Sequence, residues 1–220
     1  MISGEQLTGG GQAGHITIGM VAPDFEASTT YGHIKLSNYR GKWVLLFSHP
    51  SDFTPVCTTE FVAFAEKYNE FKKRGVELIG LSVDSLPSHI SWARDIEANL
   101  KVRIPFPIIA DADTGIARMY GMIHPLAHHI FPVRSVFIIN PEMVVAMITF
   151  YPLGVGRNID ELIRLVDALQ VVHKYRLDTP ANWKPGDPVL IPIPSTQQGA
   201  EDRLKEGYEC STWYLCRKKI

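Results

Sequence analysis

A chain of 220 residues, 45% of them hydrophobic, can bury one full core and leave roughly forty residues over as an appendage. Its formal net charge of −1 and pI near 6.7 offer no basic field to nucleic acid or to an anionic membrane, so a small or neutral partner is expected. The longest apolar stretches, such as residues 144–150, fall far short of the about 20 needed to span a bilayer. The N-terminus lacks the basic flank and apolar segment of a secretory signal, and three widely spaced cysteines do not make a disulfide framework. A reducing cytoplasm is the expected compartment.

Residues 1–14 carry five glycines and no periodicity, and are expected to be a mobile extension or an added leader with no part in chemistry. Alternating apolar residues predict a short strand within 15–25 running into a loop at Pro23, then a second small strand at 33–36. Residues 43–48 form an unbroken apolar run, the pattern of a strand buried on both faces. After it, Phe61, Phe64, Ala65, Tyr68 and Phe71 recur at helical spacing.

Between that strand and that helix lie Pro50, Ser51, Asp52, Phe53, Thr54, Pro55, Val56 and Cys57. Thr54 is a candidate N-cap, and Pro55 suits the first helical position, where its missing N–H costs nothing. Cys57 then falls in the first turn, beside orphan N–H groups and the positive end of the helix dipole. That setting favours a thiolate and a reactive sulfur, whereas a lone cysteine is otherwise usually a small buried hydrophobe.

Residues 77–83 predict another buried strand, 88–100 a helix striped by Trp92, Ile96 and Leu100, and 108–110 a short strand between prolines. A brief helix from Asp113 to Tyr120 follows. Residues 133–140 and 144–150 predict strands joined by a tight turn at Asn140, Pro141 and Glu142. Ile159, Leu162, Ile163, Val166 and Leu169 mark a helix ending near Lys174. The β-α-β-α order argues for an α/β chain with a parallel core. From Thr179 onward, Pro180, Pro185, Pro188, Pro192 and Pro194 exclude long helices and predict an extended arm. The expected division is therefore an extension at 1–14, one domain at 15–174 and an arm at 175–220. His124, His128 and His129 include a four-residue spacing, but Pro125 and the lack of nearby cysteine or carboxylate point to a solvated loop and no metal.

The stretch from Ser48 to Glu60 resembles the peroxidatic loop of peroxiredoxins, whose Pro-x-x-x-Thr-x-x-Cys signature stands here as Pro50, Thr54 and Cys57. Its flanks are similar to the peroxiredoxin 6-type branch, and Pro23, Asp24 and Phe25 look like that family's entry motif. The resemblance implies a thioredoxin-like fold with helices on both faces of the sheet, a small N-terminal hairpin and an extended C-terminal arm. It implies a thiol-dependent peroxidase without cofactor, in which Cys57 takes an oxygen from hydrogen peroxide or an organic hydroperoxide and becomes a sulfenic acid. Carried over residue by residue, Thr54 and Arg134 would hold the peroxide, with Pro50 and His49 beside it and Glu60 and Arg157 in support. The sulfur is expected to be reachable by a molecule as small as a peroxide.

Archaeal-type relatives with such an arm imply Cys216 as the resolving cysteine of another subunit and Cys210 as a relay, with an external thiol as reductant. They also imply a homodimer assembling into a ring such as a decamer. Six residues apart, Cys210 and Cys216 would lie about 9 Å apart along a helix or about 20 Å along a strand, beyond the about 7 Å a disulfide allows. Residues 211–215 must bend if the two are to join. A dithiol reductase of Cys-x-x-Cys type is disfavoured because position 60 is Glu, and no Gly-x-Ser-x-Gly occurs to suggest a lipase. A ring-shaped holdase, or a one-cysteine peroxidase resolved by an external thiol, are the competing readings.

Overall fold

The computed structural model describes residues 16–220, so the expectation for residues 1–14 lies outside the described part. Backbone contacts divide the chain into two compact units, one running to Tyr68 and from Gly75 to Arg157, the other comprising Asn69–Arg74 and Asn158–Ile220.

At the centre of the first unit is β3 (Trp43–Ser48), buried at every residue. Residues 43–47 are all apolar because both its faces and both its edges are covered, and the last residue, Ser48, donates its hydroxyl to Val133 O at 2.6 Å. β4 (Val76–Ser82) pairs with it in parallel, and β5 (Ile108–Ala110) pairs in parallel with β4. On the other edge β6 (Arg134–Ile139) runs antiparallel to β3, and β7 (Val145–Tyr151) antiparallel to β6. The hairpin of β1 (Glu26–Thr29) and β2 (Gly32–Lys35) completes a seven-stranded sheet of order β2-β1-β5-β4-β3-β6-β7. The parallel core expected from the element order is thus three strands wide, with antiparallel strands outside it.

Alternation along β3 sorts its side chains to two faces. Val44 and Leu46 join Phe25, Ile79, Leu81 and Tyr120 in one cluster, which also takes Ile116 and Ala117 of α4 (Gly115–Met119). Phe47 lies 5.4 Å from the ring of Phe61 and 4.2 Å from Phe64, both on α1 (Pro55–Glu66). Trp92 of α3 (Leu86–Leu100) stands 4.7 Å from Phe61. Gly80 of β4 makes this packing possible, since a Cβ there would meet Phe61 Cζ at 3.2 Å and Phe47 Cζ at 3.4 Å. Gly80→Ala is expected to cost about 1 kcal/mol through overpacking, read as a lower urea midpoint at unchanged slope. An unaltered midpoint would mean that the aromatic cluster has slack.

Three expectations need correction. No strand forms within residues 16–25, where the only ladder contact among the described residues is the isolated bridge Val21↔Val144. Gly19 at φ 92° turns the chain and Pro23 has no N–H to give, so the first strand begins at Glu26 instead. The apolar stripe through Phe71 is two helices, because Lys67 at φ −91°, ψ 2° interrupts the path between α1 and α2 (Tyr68–Lys73). Thr54 occupies the N-cap position in extended backbone, but its hydroxyl donates to Ser51 O at 2.9 Å and caps nothing.

In the second unit α5 (Ile159–Tyr175) starts at Asn158, whose side chain accepts from the N–H of Glu161 at 3.2 Å. The proline-rich arm is partly folded: β8 (Val189–Leu190), the seven-residue α6 (Gln197–Arg203), β9 (Glu209–Thr212) and β10 (Leu215–Lys218) give a small sheet of order β8-β10-β9. Cys210 and Cys216 face each other across β9 and β10 with Cα atoms 4.0 Å apart, joined as a disulfide. A turn at Trp213 and Tyr214 supplies the required bend. No helix of the described residues is long and apolar enough to cross a membrane.

Candidate active site

β3 ends at Ser48, and the chain passes through residues 49–54 into α1, with Pro55 in the first turn and Cys57 two residues on. The thiol is buried, with no exposed surface. Sequence reasoning expected a reachable sulfur, and this conformation does not expose it. The surroundings are nevertheless polar. Arg134, the first residue of β6, places Nη1 3.3 Å from Cys57 Sγ while its Nε donates to Leu153 O at 2.9 Å.

Glu60 lies one turn after Cys57 on α1 and accepts from both buried arginines. Its Oε2 receives Arg134 Nη1 and Arg157 Nη2, each at 2.7 Å, and its Oε1 receives the N–H and Nε of Arg157 at 2.8 and 2.9 Å. Burial alone would push the Glu60 carboxyl up, but the Arg157 charge and hydrogen bonds, with Arg134 behind them, hold it below the ordinary carboxylate range. Arg157 also donates Nη1 to Ser48 O and Ser135 O at 3.0 and 2.9 Å, and lies over the Phe47 ring at 5.1 Å. A carboxylate fixed from one side by Arg157 thereby aims the other guanidinium at the sulfur. The arrangement can hold an anionic sulfur and place a donor on any oxygen it attacks.

The remaining residues singled out from the sequence stand apart from that chain of contacts. The Thr54 carbonyl accepts the N–H and hydroxyl of Thr58 at 3.0 and 2.8 Å. Pro50 is buried. His49 is fully buried, stacked 5.2 Å from Trp92, with Nε2 3.0 Å from Asp52 Oδ1. Burial keeps its imidazole below the usual histidine range. Its Nδ1 finds no hydrogen-bond partner among the described residues. His128 Nδ1 accepts backbone N–H groups of Ile130 and Phe131 and its ring stacks on Phe131, so it is used within its own loop.

Residues 18–148 match the AhpC/TSA family, and residues 168–207 match the C-terminal domain of 1-Cys peroxiredoxin. Peroxiredoxin 2 of Caldanaerobacter subterraneus subsp. tengcongensis is 57% identical over 205 residues, covering 92% of this chain and 93% of its own length. The chain belongs to the peroxiredoxins. Among solved structures, yeast mitochondrial 1-Cys peroxiredoxin is similar with a TM-score of 0.82 at 41% identity, covering 93% of this chain and 100% of its own. A variant of peroxiredoxin 6 from Arenicola marina follows at a TM-score of 0.81 and 36% identity, covering 93% and 98%. This peroxiredoxin is thus a thiol-dependent peroxidase of the peroxiredoxin 6-type branch with a thioredoxin-like fold.

Sequence reasoning overlooked a second buried polar group in this peroxiredoxin. Asp52, His49 and His89 bring three ligand-type atoms within 4.8 Å of one another. His89 Nδ1 lies 3.0 and 2.8 Å from the two carboxylate oxygens of Asp52, and its Nε2 lies 3.1 Å from Ile109 O. Ser88 Oγ donates to Asp52 Oδ2 at 2.8 Å. Burial alone would raise the Asp52 carboxyl, but the hydrogen bonds and charges of His49 and His89 bring it far below the ordinary range. The next residue, Phe53, is exposed and sits at φ 53°, a conformation that costs a non-glycine residue of order 1–3 kcal/mol. Asp52 lies within the motif, but His89 stands 37 residues further on at a helix position with no pattern to mark it.

Proposed function

We propose that Cys57 is the peroxidatic residue and that hydrogen peroxide and small organic hydroperoxides are its substrates. The sulfur lone pair attacks the terminal oxygen of the peroxide. An S–O bond forms as the O–O bond breaks, the departing hydroxide or alkoxide takes up a proton, and Cys57 is left as a sulfenic acid. The observation that carries this reading is Arg134 Nη1, held by Glu60 and set 3.3 Å from the sulfur, where it meets both the thiolate and charge developing on oxygen. The match to the family motif supports Thr54, Pro50 and His49 as peroxide-binding residues, Thr54 through a hydroxyl that in this conformation donates to Ser51 O.

In the second half of the cycle the thiol of Cys216 from a neighbouring subunit condenses with the sulfenic acid, forming a disulfide and releasing water. Cys210 then attacks that disulfide at Cys216 and frees Cys57. The facing positions of Cys210 and Cys216 support this relay, and an external thiol reduces the final pair. The domain at 15–174 carries the chemistry, the arm at 175–220 serves dimer contact, and dimers close into a ring in the cytoplasm.

Cys57→Ser is expected to abolish peroxide consumption; retained consumption would overturn the assignment, and aggregation suppression surviving alone would favour a holdase. After one equivalent of peroxide, a non-reducing gel should show a crosslinked dimer that Cys216→Ser removes. A monomer band alone would instead favour resolution by an external thiol, the route described for the yeast mitochondrial protein, whose thiol is resolved via glutathione/thioredoxin systems. Turnover with thioredoxin, glutathione or dithiothreitol identifies the donor.

A further inference from the structure

Arg134 is fixed at its tip by Glu60 and by Leu153 O, but a side chain of that length is aimed only if its base is fixed as well. The base lies where β3 and β6 part. Their antiparallel ladder ends at Phe47 and Val136, and the next pair in that register, Ser48 and Ser135, is joined through side chains instead. Arg157 Nη1 takes the carbonyl oxygens of both residues. Both serines are buried at 0% exposure, so each polar atom there needs a partner within the protein.

The direction of every hydrogen bond in the pair follows from donor and acceptor chemistry. Val133 O can only accept, so the Ser48 hydroxyl donates to it at 2.6 Å. That uses the single proton on Ser48 Oγ. The Ser135 hydroxyl, 2.6 Å away, is then the donor within the serine pair, and the N–H of Ser135 is a second donor to Ser48 Oγ at 3.2 Å. Ser48 Oγ thus gives one hydrogen bond and receives two, which is its full capacity. Val133 O belongs to the peptide group before Arg134, and the Ser135 N–H belongs to the one after it. These two groups also close a three-residue turn on each other at 2.9 Å. One hydroxyl therefore grips both peptide groups from which Arg134 projects.

We propose that Ser48 is a positioning residue for the peroxidase: its hydroxyl clamps the backbone on either side of Arg134 and so fixes the line along which the guanidinium reaches Cys57. Ser135 has the lesser part, since its hydroxyl only fills the last acceptor site of Ser48. The consequence for rate rests on the proposed role of Arg134, but the placement of the guanidinium does not. A shift of about 1 Å at a reacting centre costs up to about 100-fold, and a clamp that shares its task with Glu60 and Leu153 O accounts for part of that.

Single-turnover peroxide reduction by the full-length chain is expected to fall about tenfold in Ser48→Ala, evenly from about pH 6 to about pH 10, and to stay within about twofold of the parent in Ser135→Ala. Ser48→Thr keeps the hydroxyl, so it should stay within about threefold, and it decides the matter if Ser48→Ala does not fold. In an Arg134→Met background Ser48→Ala should add less than about twofold, a coupling that a general loss of stability would not produce. Ser48→Ala within about twofold of the parent, a full tenfold loss on top of Arg134→Met, or a folded Ser48→Thr slower than about threefold would overturn the clamp. Should Arg134→Met itself cost less than about tenfold, the functional reading of Arg134 fails, and a crystal structure of Ser48→Ala decides the clamp alone. Arg134 Nη1 more than about 4 Å from Cys57 Sγ would support it, and a distance near the parent's 3.3 Å would overturn it.

Discussion

Arg134→Met is expected to slow peroxide reduction by about 10²–10³-fold, at high pH as well as at neutral pH. The guanidinium at 3.3 Å from Sγ has two possible duties, favouring the thiolate and stabilising the transition state. For thiols in general the first duty is nearly self-cancelling. Lowering a thiol's pKa below ambient pH raises its ionised fraction, but the less basic sulfur is a weaker nucleophile, with a Brønsted slope of about 0.4–0.5. The larger part of the acceleration must then come from a donor aimed at the oxygen that gains charge as the O–O bond breaks. Losing that donor cannot be repaired by hydroxide. Stopped-flow measurement of the single-turnover rate from about pH 6 to about pH 10 separates the two. Recovery of the parent rate in alkali would leave thiolate formation as the sole duty of Arg134. The variant should stay folded, since Glu60 keeps three hydrogen bonds from Arg157.

How much of this could be read from the sequence depended on how local the determining contacts are. β3 and β5 were legible to the residue, because each is buried on all sides and bounded by breakers or a change of pattern. The strand expected before Phe25 failed because the apolar residues Ile18, Met20 and Val21 stay exposed and only the single bridge of Val21 with Val144 joins the segment to the sheet. The break at Lys67 left no trace, since Tyr68 and Phe71 stay in phase with the stripe of α1. In the arm, prolines signalled the absence of long helices but not the hairpin that pairs Cys210 with Cys216. At the site, the Pro50, Thr54 and Cys57 spacing is local and was visible. The placement of Arg134 and Arg157 around Glu60 depends on sheet register and loop closure, and only resemblance indicated it. The hydrogen-bonded pair of Asp52 and His89 joins segments with no common period, so neither spacing nor resemblance disclosed it.

Glu60→Gln is expected to cost the protein about 3–5 kcal/mol of stability and to slow peroxide reduction with it, because one carboxylate is the ion-pair partner of both buried guanidiniums. Gln keeps the shape and one acceptor, but its amide nitrogen must face a guanidinium, and Arg157 and Arg134 are then left as uncompensated charges at 0% and 3% side-chain exposure. The pH dependence gives the assignment its sharpest test. The folded carboxyl titrates below the ordinary glutamate value of 4.5, so the unfolded chain binds more protons in acid than the folded one. Its stabilising contribution is therefore complete above about pH 4.5 and disappears as pH falls through the folded value. The gap between parent and Glu60→Gln in urea unfolding should be constant from about pH 6 to about pH 8 and close progressively below about pH 4.5. A gap under about 1 kcal/mol at neutral pH, or one that does not shrink in acid, would mean that Glu60 only fills space and that something other than its charge aims Arg134 at the sulfur.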